Sequence, residues 1–327
     1  MSDQRTMVDA LNLALHEEMK RDDNAILLGE DVGVDGGIFR VSKGLIETFG
    51  EERVIDTPLA ESGIVGTAIG MAMAGLRPIA EMQFSGFSYF AYHQIESHAA
   101  RMRWRSRGRY HVPLVVRMPY GGGVRALEHH SESREVIYTH TPGLRTVIPS
   151  GPKNACQLLK AAIRDPDPVI FLEPKAVYRS VKEEVPEDLD PLPLDKAAHV
   201  REGDELTFVS YGAMLHRTLE AADRLQEEDG ISCDVIDLLT LAPLDAATVV
   251  KSASQTGRVV VVTEAPQSYG PAAEIAARVA EDAFVKLEAP VGRVAGYDIH
   301  MPFFAREQSY LPSVDRITDT ARYTLEF

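Results

Sequence analysis

A carboxylate at the head of an uncharged run is the first feature of this sequence with chemical consequence. In "DTPLAESGIVGTAIGMAMAG", Asp56–Gly75, Glu61 precedes a stretch from Gly63 to Leu76 that carries no charge. If that stretch is a helix buried nearly all round, its first turn takes Glu61 part of the way into the interior. Burying a carboxylate without a partner is costly and favours its protonated form, so acids kept in such places are often proton-transfer groups. Gly66 and Gly70, four apart, share one helical face, which suits close packing either within the chain or against a second subunit.

The second feature is "PYGGGVRALEHHSES", Pro119–Ser133, a triple glycine followed by His129 and His130. It lacks the Lys-Ser/Thr ending of a phosphate-binding loop and is not G-x-G-x-x-G, so it does not indicate a nucleotide site. Two readings stand: a mobile loop that delivers an acid–base histidine to a cleft, or a solvated loop with incidental histidines. His93 and His98, five apart, fall on different faces of an α-helix and do not make a metal pair. Cys156 and Cys233 are far apart and support neither a disulfide framework nor a zinc site. "RMRWRSRGRY", Arg101–Tyr110, sets arginines at alternate positions around Trp104 and in isolation resembles an RNA-binding strip. A net charge of -15 argues against nucleic acid and against an anionic membrane surface, and leaves the strip as an interface or anion site.

These residues need elements to position them. A chain of 327 residues exceeds one hydrophobic core, so two domains are expected, and 45% apolar with 25% charged residues is ordinary for a globular protein. The Gly63–Leu76 run is too short to span a bilayer, and the amphipathic, acidic N-terminus is unlike a signal peptide, which together place the protein in the cytoplasm. Helical spacing over Met7–Met19 leads to the strand "AILLGEDVG". Then come strand "RVID", a helix from about Ser62, strand "RPIAEMQF", a helix through "YFAYHQIESHAARM", strand "PLVVRMP", and a helix and strand in "KNACQLLKAAIRDPDPVIFLEP". Such alternation predicts an α/β fold with a parallel sheet covered on both faces. Residues 183–199, with three prolines and no apolar period, read as a connector. Beyond it a strand–helix–strand–helix–strand pattern predicts a second, smaller parallel-sheet α/β domain. The expected division is 1–185, a linker over 186–199, and 200–327.

Taken together, "LGEDVG", "IDTPLAESGIVGTAIGMAMAGLRPIAEMQF", "GGGVRALEHHSES", "IRDPDPVIFLEP" and "SYGAM" resemble the beta subunit of the thiamine-diphosphate-dependent 2-oxo acid dehydrogenases. These are the decarboxylating components of the pyruvate and branched-chain complexes, in the transketolase-like superfamily. The resemblance runs from about residue 6 to the C-terminus and implies a pyrimidine-binding domain followed by a transketolase-C-like domain. It assigns Glu61 to the N1′ atom of the cofactor's aminopyrimidine, where sharing a proton favours the imino form that deprotonates C2. It places Leu59 and Gln83 in the pyrimidine pocket and Phe87 against the pyrimidine ring. It also makes His130 the histidine of reductive acylation of a lipoyl group, with His129 the weaker candidate. Leu114, Ala162, Ile163, Asp165 and Asp167 match positions that bind a monovalent cation such as K⁺ in some members, through main-chain carbonyls and a carboxylate.

No GDG motif with a downstream Asn-Asn pair is found; "EGDEL", 202–206, lacks the second glycine. The resemblance therefore implies that a separate alpha subunit holds the diphosphate and Mg²⁺, in an alpha-two beta-two heterotetramer that serves a lipoyl-bearing acyltransferase. The alternatives are an acetoin dehydrogenase beta subunit, which shares these motifs, and a non-catalytic scaffold for an alpha-like partner.

Overall fold

The computed structural model describes residues 4–327. Its chain divides into two compact units, one running through Tyr120 and resuming over Ile137–Leu194, the other comprising Gly121–Val136 and Asp195–Phe327.

In the first unit the strands are β1 (Gln4–Thr6), β2 (Ala25–Gly29), β3 (Val54–Asp56), β4 (Arg77–Glu81), β5 (Val115–Tyr120), β6 (Arg145–Val147), β7 (Val169–Pro174) and β8 (Lys182–Glu184). Strands β6, β7, β5, β4, β2 and β3 lie side by side in that order, every pair parallel. β2, β5 and β7 are buried at every residue, as expected of parallel strands covered by helices on both faces. The helix Met7–Arg21 starts with a capping box between Thr6 and Asp9 and ends with Lys20 and Arg21, so both termini suit the helix dipole. It packs on the helix Pro152–Arg164, where Arg164 reaches the buried Glu18 and Lys160 pairs with Glu17.

The carboxyl ends of three strands are level. Gly29 of β2 is in register with Asp56 of β3 on one side and Glu81 of β4 on the other. The chain leaves β2 towards β3 but must cross back over β2 to reach β4, so the sheet's switch point lies between β2 and β4. Ligands of open α/β sheets bind at such a crevice. Beneath it Arg117 of β5 makes a two-pronged bond to Glu173, at 2.7 Å on each prong, and a further bond to Glu81, while the Tyr178 hydroxyl donates to Glu173 at 2.5 Å. All four side chains are buried, so each charge depends on the others for solvation.

Residues 183–199 are irregular only between β8 and β9 (Ala198–Arg201). The stretch is a strap rather than a free linker: Val185 is buried, the Leu189 carbonyl accepts from Lys160, and the Asp190 carbonyl accepts from Gln157.

The second unit adds β10 (Leu206–Ser210), β11 (Cys233–Asp237), β12 (Thr240–Ala242), β13 (Val259–Pro266) and β14 (Gly292–Gly296). Its sheet runs β14-β13-β10-β11-β9, parallel except for the edge strand β9. Leu206, Phe208, Val235, Val260 and Val262 form a core with Leu215 and Leu225 of the helix Ala213–Asp229 and with Ile317 and Ala321 of the helix Val314–Leu325. The chain again crosses from β11 over β10 to β13, which puts a second switch point between β10 and β13.

Two expectations about helices are corrected. The helix Glu61–Met73 buries Glu61, Ile64, Val65, Ala68, Ile69 and Ala72 but leaves Gly63, Thr67 and Gly70 exposed. It is therefore one-sided in this chain; Gly66 lies against Gln94, while Gly70 meets open space. Residues 89–102 are not one helix: a 3₁₀ turn Ser85–Ser88 leads into an α segment Tyr89–Gln94, a π turn Ile95–Ala99 and a short α segment Met102–Arg105. The π turn widens the spiral enough to bring His93 and His98 onto one side, rings 5.3 Å apart, where α geometry separates them.

Candidate functional site

In the first unit the candidate site is the crevice at the end of β2, β3 and β4. Glu61 is the first residue of its helix, in the favourable field of the N-terminus, and is 6% exposed. Pro58 stops β3, and the Thr57 N–H bonds back to the Gly29 carbonyl at 2.9 Å, which turns the chain so that the helix begins above the sheet edge. Glu30, directly after β2, is also buried, and burial pushes its carboxyl above the usual range, with the charges of Glu61 and Asp31 adding to the effect. In sequence Glu30 is only part of the segment "AILLGEDVG"; its nearness to Glu61 follows from strand register. Among the described residues neither Glu61 nor Glu30 has an ion-pair partner.

Gln83 leaves the end of β4 and donates to Asp31 at 3.1 Å, spanning the crevice. Leu59 is 78% exposed and so is not core, an arrangement suited to contact with something outside this chain's own packing. Phe87 sits in the 3₁₀ turn Ser85–Ser88, half-buried, its ring edge-on to Phe84 at 5.7 Å. Leu59 and Glu61 follow β3, and Gln83 and Phe87 follow β4, the two strands that flank β2 in one unit.

The histidine loop belongs to the other unit. Glu128–His130 forms a 3₁₀ turn that places the two histidine rings 4.2 Å apart, with Glu128 3.3 Å from His129 Nδ1. The loop's neck is closed by the Gly121 N–H on the Glu132 carbonyl, 3.0 Å. Gly122 and Ser133 both donate to Glu264, and Gly123 and Arg125 donate to Glu307. Past the neck, Glu135 accepts from the Tyr211 hydroxyl at 2.7 Å; complete burial pushes its carboxyl up to about 7, with the charge of Glu264 contributing. A cavity of about 140 Å³ beside the loop is lined by Ser131, Glu132, Arg134, Pro266, Met301 and Tyr310. Sequence reasoning missed Glu135, Tyr211, Glu264 and Glu307. Tyr211 falls within the motif "SYGAM", and Glu264 stands near the end of an apolar strand.

The residues matched to a cation site all lie in the first unit. The Leu114 carbonyl accepts the Val169 N–H, the Ala162 carbonyl the Asp165 N–H, and the Ile163 carbonyl an Arg77 Nη1–H at 3.0 Å. Both carboxylates are already neutralised: Asp165 lies 2.9 Å from Arg145 Nε, and Asp167 2.6 Å from Arg103 Nε. No cluster of three or more His, Cys, Asp or Glu suited to a metal ion occurs among the described residues. The arginine strip is likewise engaged. Arg101 pairs with Glu96, Arg103 with Asp167, Arg105 donates to the Ser97 carbonyl, and Arg109 covers Tyr110. Trp104 between them is 87% exposed. Among the described residues no helix is long and apolar enough to cross a membrane.

Residues 3–181 match the family "Transketolase, pyrimidine binding domain", and residues 195–317 match "Transketolase, C-terminal domain". A solved structure titled "Split gene transketolase, inactive beta4 tetramer" superposes with a TM-score of 0.80 over 98% of both chains at 22% identity, which supports the fold. The two domains therefore define a transketolase-type protein. The pyruvate dehydrogenase E1 component subunit beta of Acholeplasma laidlawii is 50% identical over 95% of each chain, and that of Bacillus subtilis 48% identical over 99% of each. The 2-oxoisovalerate dehydrogenase subunit beta of Bacillus subtilis is 49% identical over 98% of each chain. This chain belongs to the beta-subunit family of the decarboxylating E1 components of the pyruvate and branched-chain 2-oxo acid dehydrogenases.

Proposed function

We propose that the chain works with an alpha subunit on pyruvate or a branched-chain 2-oxo acid, using thiamine diphosphate and Mg²⁺, and passes the acyl group to a lipoyl domain. Nearly equal identity to pyruvate-named and 2-oxoisovalerate-named relatives keeps both substrate classes in view. The diphosphate and Mg²⁺ fall to the alpha subunit, since this chain lacks a GDG motif and an Asn-Asn pair. The observation that carries the reading is Glu61, buried at a switch-point crevice beside a second acid and, among the described residues, without an ion-pair partner. Such a carboxylate fits a ring nitrogen that offers or shares a proton.

When bound, thiamine diphosphate supplies a thiazolium carbon nucleophile for the 2-oxo group. Glu61 would hold a proton at N1′ of the aminopyrimidine, while burial and the Glu61 charge close by favour the protonated form of Glu30. Leu59 and Phe87 offer apolar contact to the ring, and Gln83 an amide to its edge. His130 donates a proton to the lipoyl sulfur that leaves as the disulfide opens, a task in the range where histidine titrates. A scaffold without catalysis has no use for Glu61 and His130 in these places, which favours the enzyme reading.

A monovalent rather than divalent cation suits the Leu114, Ala162 and Ile163 carbonyls. With Asp165 and Asp167 spent on arginines, the remaining donors are neutral oxygens, which match low charge density. For Glu61 the test is Glu61→Gln in the assembled enzyme. Exchange of the cofactor's C2 hydrogen with deuterium is expected to slow by about 10² to 10⁴-fold; an unchanged rate removes Glu61 from proton transfer.

A further inference from the structure

The triple glycine invites the reading of a hinge, yet its backbone is held from one side by two buried acids. Glu264 and Glu307 are 3% and 1% exposed. Glu264 receives the Gly122 N–H at 2.5 Å and the Ser133 hydroxyl at 2.9 Å, so one carboxylate ties both ends of the histidine loop. Glu307 receives the Gly123 N–H at 2.9 Å through Oε1 and the Arg125 N–H through both oxygens at 3.1 Å. Hydrogen bonds from main-chain N–H groups to a charged acceptor are stronger than neutral ones and solvate the buried charge. Arg217, partly desolvated, lies within the field of both carboxylates, while its guanidinium binds the Pro312 carbonyl and Gln308.

The glycines are what let the chain wrap the acids. At Gly121, with φ of 77°, a Cβ would stand 2.8 Å from Glu264 Oε1; at Gly122 it would stand 2.9 Å from the Met301 methyl and 3.4 Å from Glu307 Oε1. Arg125, a non-glycine residue, is held at φ of 58°, with its N–H aimed at Glu307. The same residues that look mobile in sequence therefore form a cradle.

We infer that Glu264 and Glu307 are positioning residues: together they clamp the loop Gly121–Ser133 and so fix where His129 and His130 are presented. The link to acylation rests on the reading of His130 given above; the clamp itself does not. A freed loop opens to solvent, and the population of the open form sets how fast a protease cuts it.

The test uses the assembled enzyme with its alpha subunit and compares Glu264→Gln, Glu307→Gln and Ser133→Ala with the parent. Gln keeps the shape but places an NH₂ where a second acceptor oxygen stood. Tryptic cleavage after Arg125 and Arg134 is expected to rise about tenfold or more in each Gln variant, because charge-assisted bonds are lost. In Ser133→Ala, which keeps both acids, the rise is smaller, about twofold to fivefold. Acylation of a lipoyl domain should fall in kcat with the loss of order, whereas decarboxylation measured with an artificial electron acceptor changes less than acylation. Unchanged cleavage in folded Gln variants overturns the clamp. If cleavage rises and acylation is unaffected, the clamp stands and the role given to His130 falls. Should a Gln variant fail to assemble, Ser133→Ala decides, and parent-like cleavage there overturns the proposal.

Discussion

Replacing Glu135 by Gln should make the protein's stability less dependent on pH, in a direction and size set by burial. The Glu135 carboxyl is wholly enclosed, accepts from Tyr211 at 2.7 Å through Oε1, and among the described residues has no hydrogen-bond partner at Oε2. Burial first, and the charge of Glu264 after it, lift the carboxyl from an ordinary 4.5 to about 7. Below 4.5 both folded and unfolded chains hold the proton, and the group does not disfavour folding. Between 4.5 and about 7 the folded chain keeps a proton that the unfolded chain has released, so stability falls as pH rises. Above about 7 the penalty is complete. At about 1.4 kcal/mol per pH unit it amounts to roughly 3 kcal/mol. Gln keeps the acceptor for Tyr211 and never ionises. The gap in unfolding free energy between Glu135→Gln and the parent should therefore widen by about 3 kcal/mol from pH 4.5 to pH 8. Urea unfolding at several pH values measures that gap. A gap that stays constant with pH refutes the reasoning, because the carboxyl then titrates alike in both states.

Three other expectations concern the reaction and its supports. His130→Ala should reduce acylation of a lipoyl domain more than decarboxylation with an artificial acceptor, compared on one assembled preparation; equal losses with the loop still ordered would move His130 into decarboxylation. The isolated chain should show no decarboxylase activity and only weak binding of thiamine diphosphate, which calorimetry checks directly; tight Mg²⁺-dependent binding would contradict the division of the site. Potassium should raise the thermal midpoint of the assembled enzyme relative to the larger tetramethylammonium ion at equal ionic strength. An equal midpoint in both salts counts against a cation on the Leu114, Ala162 and Ile163 carbonyls.

What local sequence determines here is what repeats locally. Alternation of apolar strands with amphipathic helices is legible because a parallel strand must be buried on both faces and its return helix on one, as β2 and the helix Met7–Arg21 show. The motifs around Glu61 and His130 are legible as well, being short and contiguous. Glu30 joins Glu61 only through strand register, since a parallel sheet sets loops that are far apart in sequence at one edge. His93 and His98 meet because the helix widens by a residue at Ile95–Ala99, a change that no periodicity announces. The histidine loop shows the division most clearly. Its glycines are visible in sequence, but Glu264 and Glu307 stand 142 and 184 residues from the amides that they bind. Only the folded second unit, with Glu264 on β13 and Glu307 on a short helix, places them there, and a glycine run that could serve as a hinge becomes a cradle because two buried charges need its N–H groups for solvation.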